Sequence, residues 1–257
     1  MVEDVVSLCS GRLKKFGNYD FFKDIQVLTP TKKGKLGTKE LNKELQMALN
    51  PELNSLKNKI LNTDNVHYGE YTISSDQLYI GATSNRQSYE ELLEKNKDRI
   101  QYKKHGDRIF IQGDRVMQVK NNYDIYWERN KESGTGIFNG ELGTINKIDD
   151  VTKQIEIYFD DEKKAWYDYS DLEQLEHSYC ITIHKSQGSE FDVVIMCLPP
   201  AAPMLLTRNL LYTGITRAKK LLIILGTDRT VEYMIQNTET KKRNTGLEYK
   251  IKQLYKK

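Results

Sequence analysis

Proline is scarce, at five in 257 residues, and cysteine scarcer still, at three. No apolar run is long enough to cross a bilayer, which argues against a membrane span and for a soluble, cytoplasmic chain. Cys9, Cys180 and Cys197 are odd in number and far apart. They read as buried thiols in a reducing compartment and not as a disulfide framework. The four histidines, His67, His105, His177 and His184, lack metal-ligand spacing, so no metal site is expected. No carboxylate cluster with metal-site spacing is present either, which argues against cleavage of nucleic acid. The opening MVEDVVSLCSGRL places acids early and has no apolar core of the signal-peptide kind. The net charge is only +3, so any surface for a polyanion must be local. A further absence is the phosphate loop G-x-x-x-x-G-K-[ST]. Gly34-Lys35-Leu36-Gly37-Thr38 has the wrong spacing.

What is present is dominated by residues 179–226. Ile181–Ile183 and Val193–Leu198 are apolar runs without alternation, as is Leu221–Leu225, which Gly226 stops. Such runs suit strands covered on both faces. A helix is expected over Thr207–Ala218 between the last two, giving a βαβ unit of a parallel sheet. Earlier, the spacing of Val2, Val5, Val6, Cys9, Leu13 and Phe16 predicts a helix over 3–16. Ile25–Thr29 reads as a short buried strand. Thr38 can cap a helix carrying Leu41, Leu45, Met47 and Leu49, ended by Asn50-Pro51. Residues 52–105 carry little pattern beyond a helix-like stretch at Tyr89–Arg99 and read as an insertion. Two GD turns, Gly106-Asp107 and Gly113-Asp114, open a region of short strands. Those strands are Val116–Lys120, Gly143–Ile148, Ile155–Phe159 and Lys164–Tyr167. IEIYFDDE, residues 155–162, imitates a magnesium-holding strand, but its apolar residues alternate as on a strand with one wet face.

TIHKSQGSEFDVVI resembles motif V of superfamily 1 helicases, and LLYTGITRAKKLLIILG resembles their motif VI. HKSQGSEF points to the RecD/TraA branch. IQVLTPTKKGKLGTKELNKELQMALNP is similar to a RecD-family segment after motif IV, and GDRVMQVKNNYD with GIFNGELGTINKID to its inserted barrel. The resemblance implies an α/β fold: a RecA-like parallel-sheet domain, the second motor domain, with a small SH3-like β-barrel inserted. The expected division is 1–105 for its first part, with the insertion at about 52–105, then 106–177 for the barrel and 178–257 for its second part with motifs V and VI.

By the same resemblance the chain is the C-terminal half of an ATP-dependent DNA helicase that moves 5′-to-3′. ATP and Mg2+ are then bound mainly by an N-terminal RecA-like domain of the same polypeptide, and no cofactor is expected in this chain alone. Arg217 matches the motif VI arginine finger, the catalytic residue. Gln187, Gly188 and Glu190 join it on the nucleotide side. Thr29, Lys32, Lys33, Thr182, His184 and Ser186 match the single-stranded DNA face, as do Asn122, Tyr123 and Asn139 in the barrel. Tyr123 and Phe138 could stack bases or fill the barrel core, and the lysine turn could meet phosphates or only water. Other recombination proteins are implied as partners. Two alternatives stand beside this reading: a stand-alone single-stranded nucleic-acid binding module without ATPase activity, and a UvrD-like 3′-to-5′ repair helicase.

Lacking a phosphate loop, the 257-residue chain on its own is expected to show no ATP hydrolysis. DNA-stimulated turnover by the pure chain, abolished by Arg217→Ala, would contradict this.

Overall fold

The computed structural model describes residues 1–62, 93–94, 96–201, 203–238 and 246–255. Residues 89–92 and 95 of the helix-like stretch Tyr89–Arg99 lie outside the described residues.

Four strands form a parallel sheet: β1 (Ile25–Thr29), β11 (Cys180–Thr182), β12 (Phe191–Cys197) and β13 (Ala218–Leu225). Their order is β11-β1-β12-β13, all parallel. Alternate residues of β12 divide between two cores. Val193, Ile195 and Cys197 pack with the N-terminal helices, whereas Val194 and Met196 pack with Leu210, Leu211 and Met234. A strand with helices over both faces needs apolar residues at every position, which is why FDVVIMC shows no alternation. The expectation holds less well for β13. Its Leu221–Ile223 and Leu225 are only half-buried and Ile224 is exposed, because β13 is an edge strand with thinner cover.

The expected N-terminal helix forms as α1 (Val2–Ser7) and α2 (Leu13–Gly17), joined by a π-helical turn over Leu8–Arg12. A short α3 (Phe21–Asp24) leads into β1. Helix α4 (Thr38–Leu49) stops at Asn50, as read from the sequence. Asn50-Pro51 also starts a second helix, α5 (Pro51–Asn62), which the pattern did not reveal. The Asn50 carboxamide oxygen accepts from Glu52 N (2.9 Å) and Leu53 N (3.0 Å), an N-cap, and Pro51 takes the first helical position.

The remaining strands are antiparallel. β2 (Tyr102–His105) and β3 (Arg108–Ile111) make a hairpin turned at Gly106-Asp107. A seven-stranded sheet follows, of β4 (Arg115–Gln118), β5 (Asn122–Arg129), β6 (Glu132–Ile137), β7 (Leu142–Asp149), β8 (Gln154–Phe159), β9 (Lys164–Asp168) and β10 (Leu175–His177). Its order is β10-β4-β7-β8-β9-β5-β6. Leu175 and Val116 from one end share a single core with Ile125 and Ile137 from the other, so the sheet coils round that core. β8 pairs antiparallel on both sides, which removes IEIYFDDE from the parallel sheet. The β5–β6 hairpin was not foreseen. DIYWERNKESGTG is polar along most of its length, and only Ile125, Gly136 and Ile137 of β5 and β6 are fully buried.

One carboxylate ties the two sheets together. Asp114 is fully buried and accepts from Gln46 Nε2 (2.6 Å), Asn50 Nδ2 (2.7 Å), Ile111 N (2.8 Å) and the Tyr179 hydroxyl (2.9 Å). His177 Nε2 lies 3.2 Å away. Beside it, Asn42 holds the backbone of Cys180 through both its amide oxygen (2.8 Å) and nitrogen (2.9 Å). All three cysteines are buried free thiols, and burial pushes the Cys197 thiol up to about 12.

Removing the Asp114 carboxylate leaves several buried donors without an acceptor. Asp114→Ala should therefore lower unfolding free energy by about 3–5 kcal/mol. Urea titration measures it, and a loss under about 1 kcal/mol would show that the network is not a structural tie.

Candidate functional site

The expected site residues fall at opposite ends of the parallel sheet. At the strands' C-terminal ends, Thr29 and Thr182 are register partners in neighbouring β1 and β11. Thr29 is fully buried and its hydroxyl donates to Leu36 O (2.7 Å). Thr182 is also buried, and its Oγ1 accepts from Lys185 N (3.3 Å). Ser186 is fully buried and donates to Ile183 O (2.8 Å). These three hydroxyls are committed to shaping the loop after β1 and the turn after β11, and none faces solvent. His184 and Gln187, on the same turn, are exposed.

Lys32 and Lys33 are exposed on the loop after β1. They line a cleft of about 540 Å³ with Lys39 and Lys43 of α4, and Arg108 and His177 from the antiparallel strands. Asp107, Glu40 and Glu176 are its carboxylates. Lys185 (2.7 Å) and Lys32 (3.8 Å) both reach Glu176. Burial alone would push the Glu176 carboxyl up, but Lys185, Lys32 and Arg108 outweigh it and hold it below the usual glutamate value. Sequence reasoning found Lys32 and Lys33 and missed Lys39, Lys43 and Arg108. Arg108 was visible only as part of the GD echo, far along the chain.

The other cluster precedes β12 and β13. Gly188 has φ +89°, which favours glycine, and it closes the turn before Ser189 and Glu190. Glu190 is exposed, with Lys219 Nζ at 3.6 Å. α6 (Arg208–Ile215), capped by Thr207, leads to Arg217. Gly214 lets α6 lie close on the sheet, since a Cβ there would meet Met196 Sδ at 2.5 Å. Arg217 is half-buried, and its guanidinium donates to Thr213 O (3.1 Å), Ser189 O (2.8 Å) and Thr216 Oγ1 (3.1 Å). Among the described residues it makes no ion pair. Its full charge is therefore held by neutral oxygens, between the two turns that carry the helicase-like motifs. The arrangement suits an anion approaching from outside the chain. An open glycine turn and an unneutralised guanidinium fit the phosphate side of a nucleotide.

Asn122, Tyr123 and Asn139 lie on the coiled antiparallel sheet. Asn122 donates to Gln174 Oε1 (3.0 Å), and Asn139 N donates to Asn121 Oδ1 (2.9 Å). Tyr123 and Phe138 are exposed and meet edge-to-face at 5.7 Å, so neither fills the core. Their surroundings are acidic. Residues 115–177 hold 14 Asp and Glu against 8 Lys and Arg, a net charge of −6, which leaves +9 on the rest of the chain.

Comparison with known proteins bears on these motifs. Residues 86–159 match the ATP-dependent RecD-like DNA helicase SH3 domain, and residues 177–225 match the UvrD-like helicase C-terminal domain. An ATP-dependent RecD2 DNA helicase of Deinococcus radiodurans is 28% identical over 195 residues, covering 76% of this chain and 19% of its own length. The RecBCD enzyme subunit RecD of Buchnera aphidicola is 39% identical over 92 residues, or 36% of this chain and 15% of that one. Over these segments the chain is similar to RecD-type helicases. What it resembles is the C-terminal half of these superfamily 1 helicases. An uncharacterized protein of Methanocaldococcus jannaschii is 35% identical over 147 residues, covering 52% of this chain and 12% of its own. The chain thus spans less than a fifth of each of these relatives. A solved Pif1 helicase chain is 19% identical with a TM-score of 0.37, covering 80% of this chain and 52% of that one, a likeness too loose to decide the fold. No helix among the described residues is long and apolar enough to cross a membrane.

Because the Glu176 value is lowered on folding, its stabilisation is present above the unfolded glutamate value, about 4.3, and is lost as pH falls through the lower folded value. Glu176→Gln should lower stability at neutral pH and flatten the acid limb of a stability–pH curve below about pH 4.3, so that the two curves converge in acid. An unchanged acid limb would show that the Lys185 and Lys32 pairing is not coupled to folding.

Proposed function

We propose that this chain is the second motor domain of an ATP-dependent DNA helicase that translocates 5′-to-3′ on single-stranded DNA. In this reading residues 1–105 and 178–257 form a RecA-like domain, and 106–177 an SH3-like barrel inserted between them. A phosphate-loop domain of the same polypeptide faces the cluster before β12 and β13. ATP with Mg2+, when bound there, supplies the phosphoryl group passed to water. Arg217 is the catalytic residue and stabilises charge that builds on that group. Gly188, Glu190 and Gln187 line the nucleotide beside it. Lys32, Lys33 and His184 grip the DNA from the opposite sheet edge. Asn122, Tyr123 and Asn139 extend the grip onto the barrel, where the acidic surroundings make them weak contributors. Thr29, Thr182 and Ser186 position the gripping loops from below.

The single observation that carries this reading is the Arg217 guanidinium, half-buried and without a carboxylate partner among the described residues, bonded to the Ser189 carbonyl of the neighbouring motif. The Ser189 bond also offers a route for coupling, because an anion that draws Arg217 outward must disturb the turn 183–190. That turn ends at the DNA side with His184 and Lys185.

In a polypeptide containing both this chain and a phosphate loop, Arg217→Ala should cut DNA-stimulated turnover about 10³–10⁵-fold, with little change in ATP affinity. Arg217→Lys should also be badly impaired, since it keeps the charge and loses the fork of donors. A large fall in melting temperature with near-normal turnover would assign Arg217 to the fold and overturn the proposal.

A further inference from the structure

The outer face of the coiled antiparallel sheet carries a second group of side chains with no part in the helicase reading. On β8 and β9 the inward residues Ile155, Ile157, Ala165 and Tyr167 fill the core. Their outward neighbours are Tyr158, Lys164 and Trp166. From β5, Tyr126 stacks on Trp166 with centroids 6.1 Å apart and planes 18° apart. Tyr126 and Tyr158 are 45% and 46% exposed, although a strand facing only water has no need of large rings. Lys164 lies over both Trp166 (5.0 Å) and Tyr158 (5.7 Å).

The charge on this face selects its occupant. Lys164 is neutralised by Glu156 at 2.9 Å. Glu128 and Asp168 are exposed and make no ion pair among the described residues; Glu128 accepts from the Tyr126 hydroxyl (3.1 Å) and Asp168 from Gln154 (3.0 Å). Glu128 faces Lys164 across the β5–β9 ladder and shares that cation with Glu156. The face therefore holds three acids, Glu128, Glu156 and Asp168, beside Lys164 and three aromatic rings, and on a unit of net charge −6 this excess repels a polyanion. It attracts a cation, which gains from both the carboxylates and the ring faces. The Lys164 ammonium already sits over two of the rings, so the face accepts cations in this geometry.

We propose that this face docks a lysine- or arginine-bearing segment of a partner polypeptide. The partner's cations sit between Glu128, Asp168 and the Tyr126–Trp166 stack, and its backbone lies along Tyr158. The surface is distinct from the cleft lined by Lys32, Lys33 and Arg108, so one chain could hold nucleic acid and a protein partner together.

The test uses the full chain and a repeating Lys-Gly-Pro peptide, with the Glu-Gly-Pro repeat as control. Trp127 and Trp166 are the only tryptophans, so binding is read from their fluorescence and placed on residues by amide chemical shifts. The basic peptide should bind and the acidic one should not. Glu128→Lys with Asp168→Lys, at exposed positions that leave the core intact, should abolish binding, and Tyr126→Ala should weaken it about tenfold. Melting temperature checks that each variant is folded. Absence of basic-peptide binding, or binding unmoved by these substitutions, would overturn the proposal. So would an oligothymidylate strand that shifts the same amides, since that outcome assigns the face to nucleic acid.

Discussion

A buried carboxylate survives only where donors replace the water it has lost, and Asp114 gathers its donors from four separate elements. Gln46 comes from α4, Asn50 from the junction of α4 and α5, Ile111 from the hairpin and Tyr179 from the lead into β11, with His177 of β10 beside them. None of these can shift far without stranding either the carboxylate or its donors. The antiparallel region is therefore tied to the parallel sheet at both of its chain crossings. The position of α4 then places Asn42 against Cys180, and it sets one wall of the basic cleft.

Around that tie the molecule separates its charges. The antiparallel unit is acidic on the whole, and the basic excess belongs to the remainder. A small net charge conceals two surfaces of opposite sign, each suited to a different occupant. Within the parallel sheet the separation is geometric: Lys32 and Lys33 follow a strand end, whereas Arg217 and Glu190 precede strand starts. The turn 183–190 runs between the two ends and is bonded to both, through Ile183 N to Thr29 O and Arg217 to Ser189 O.

Much of the parallel sheet was legible because burial on both faces leaves a plain mark, an apolar run without alternation. β1 lies where that mark placed it, β11 lies one residue earlier, and β12 starts two residues earlier, at Phe191, and ends one earlier, at Cys197. The IEIYFDDE strand was equally clear, since Ile155, Ile157 and Phe159 alternate with wetter residues. The β5–β6 hairpin escaped because most of its side chains face solvent and their pattern resembles a loop. Helix α5 escaped although its signal was present, because Asn50-Pro51 stops one helix and starts the next with the same two residues.

The sequence by itself determined the motifs, their order, the missing phosphate loop and the strands buried on both faces, because each of these is local and repeats within a few residues. Only the tertiary structure decided which polar residues are free to act. Thr182 and Ser186 share a motif with His184, and Thr29 lies in the earlier segment at the end of β1, yet all three hydroxyls are spent on neighbouring backbone. Arg217 reads the same in sequence whether paired or not, and among the described residues the fold gives it no acid. Asp114 reads as an ordinary turn residue and becomes the most heavily bonded carboxylate described, because its donors arrive from positions 46, 50, 111 and 179. Contacts across such separations leave no periodic trace in the chain, and burial alone gives them their strength.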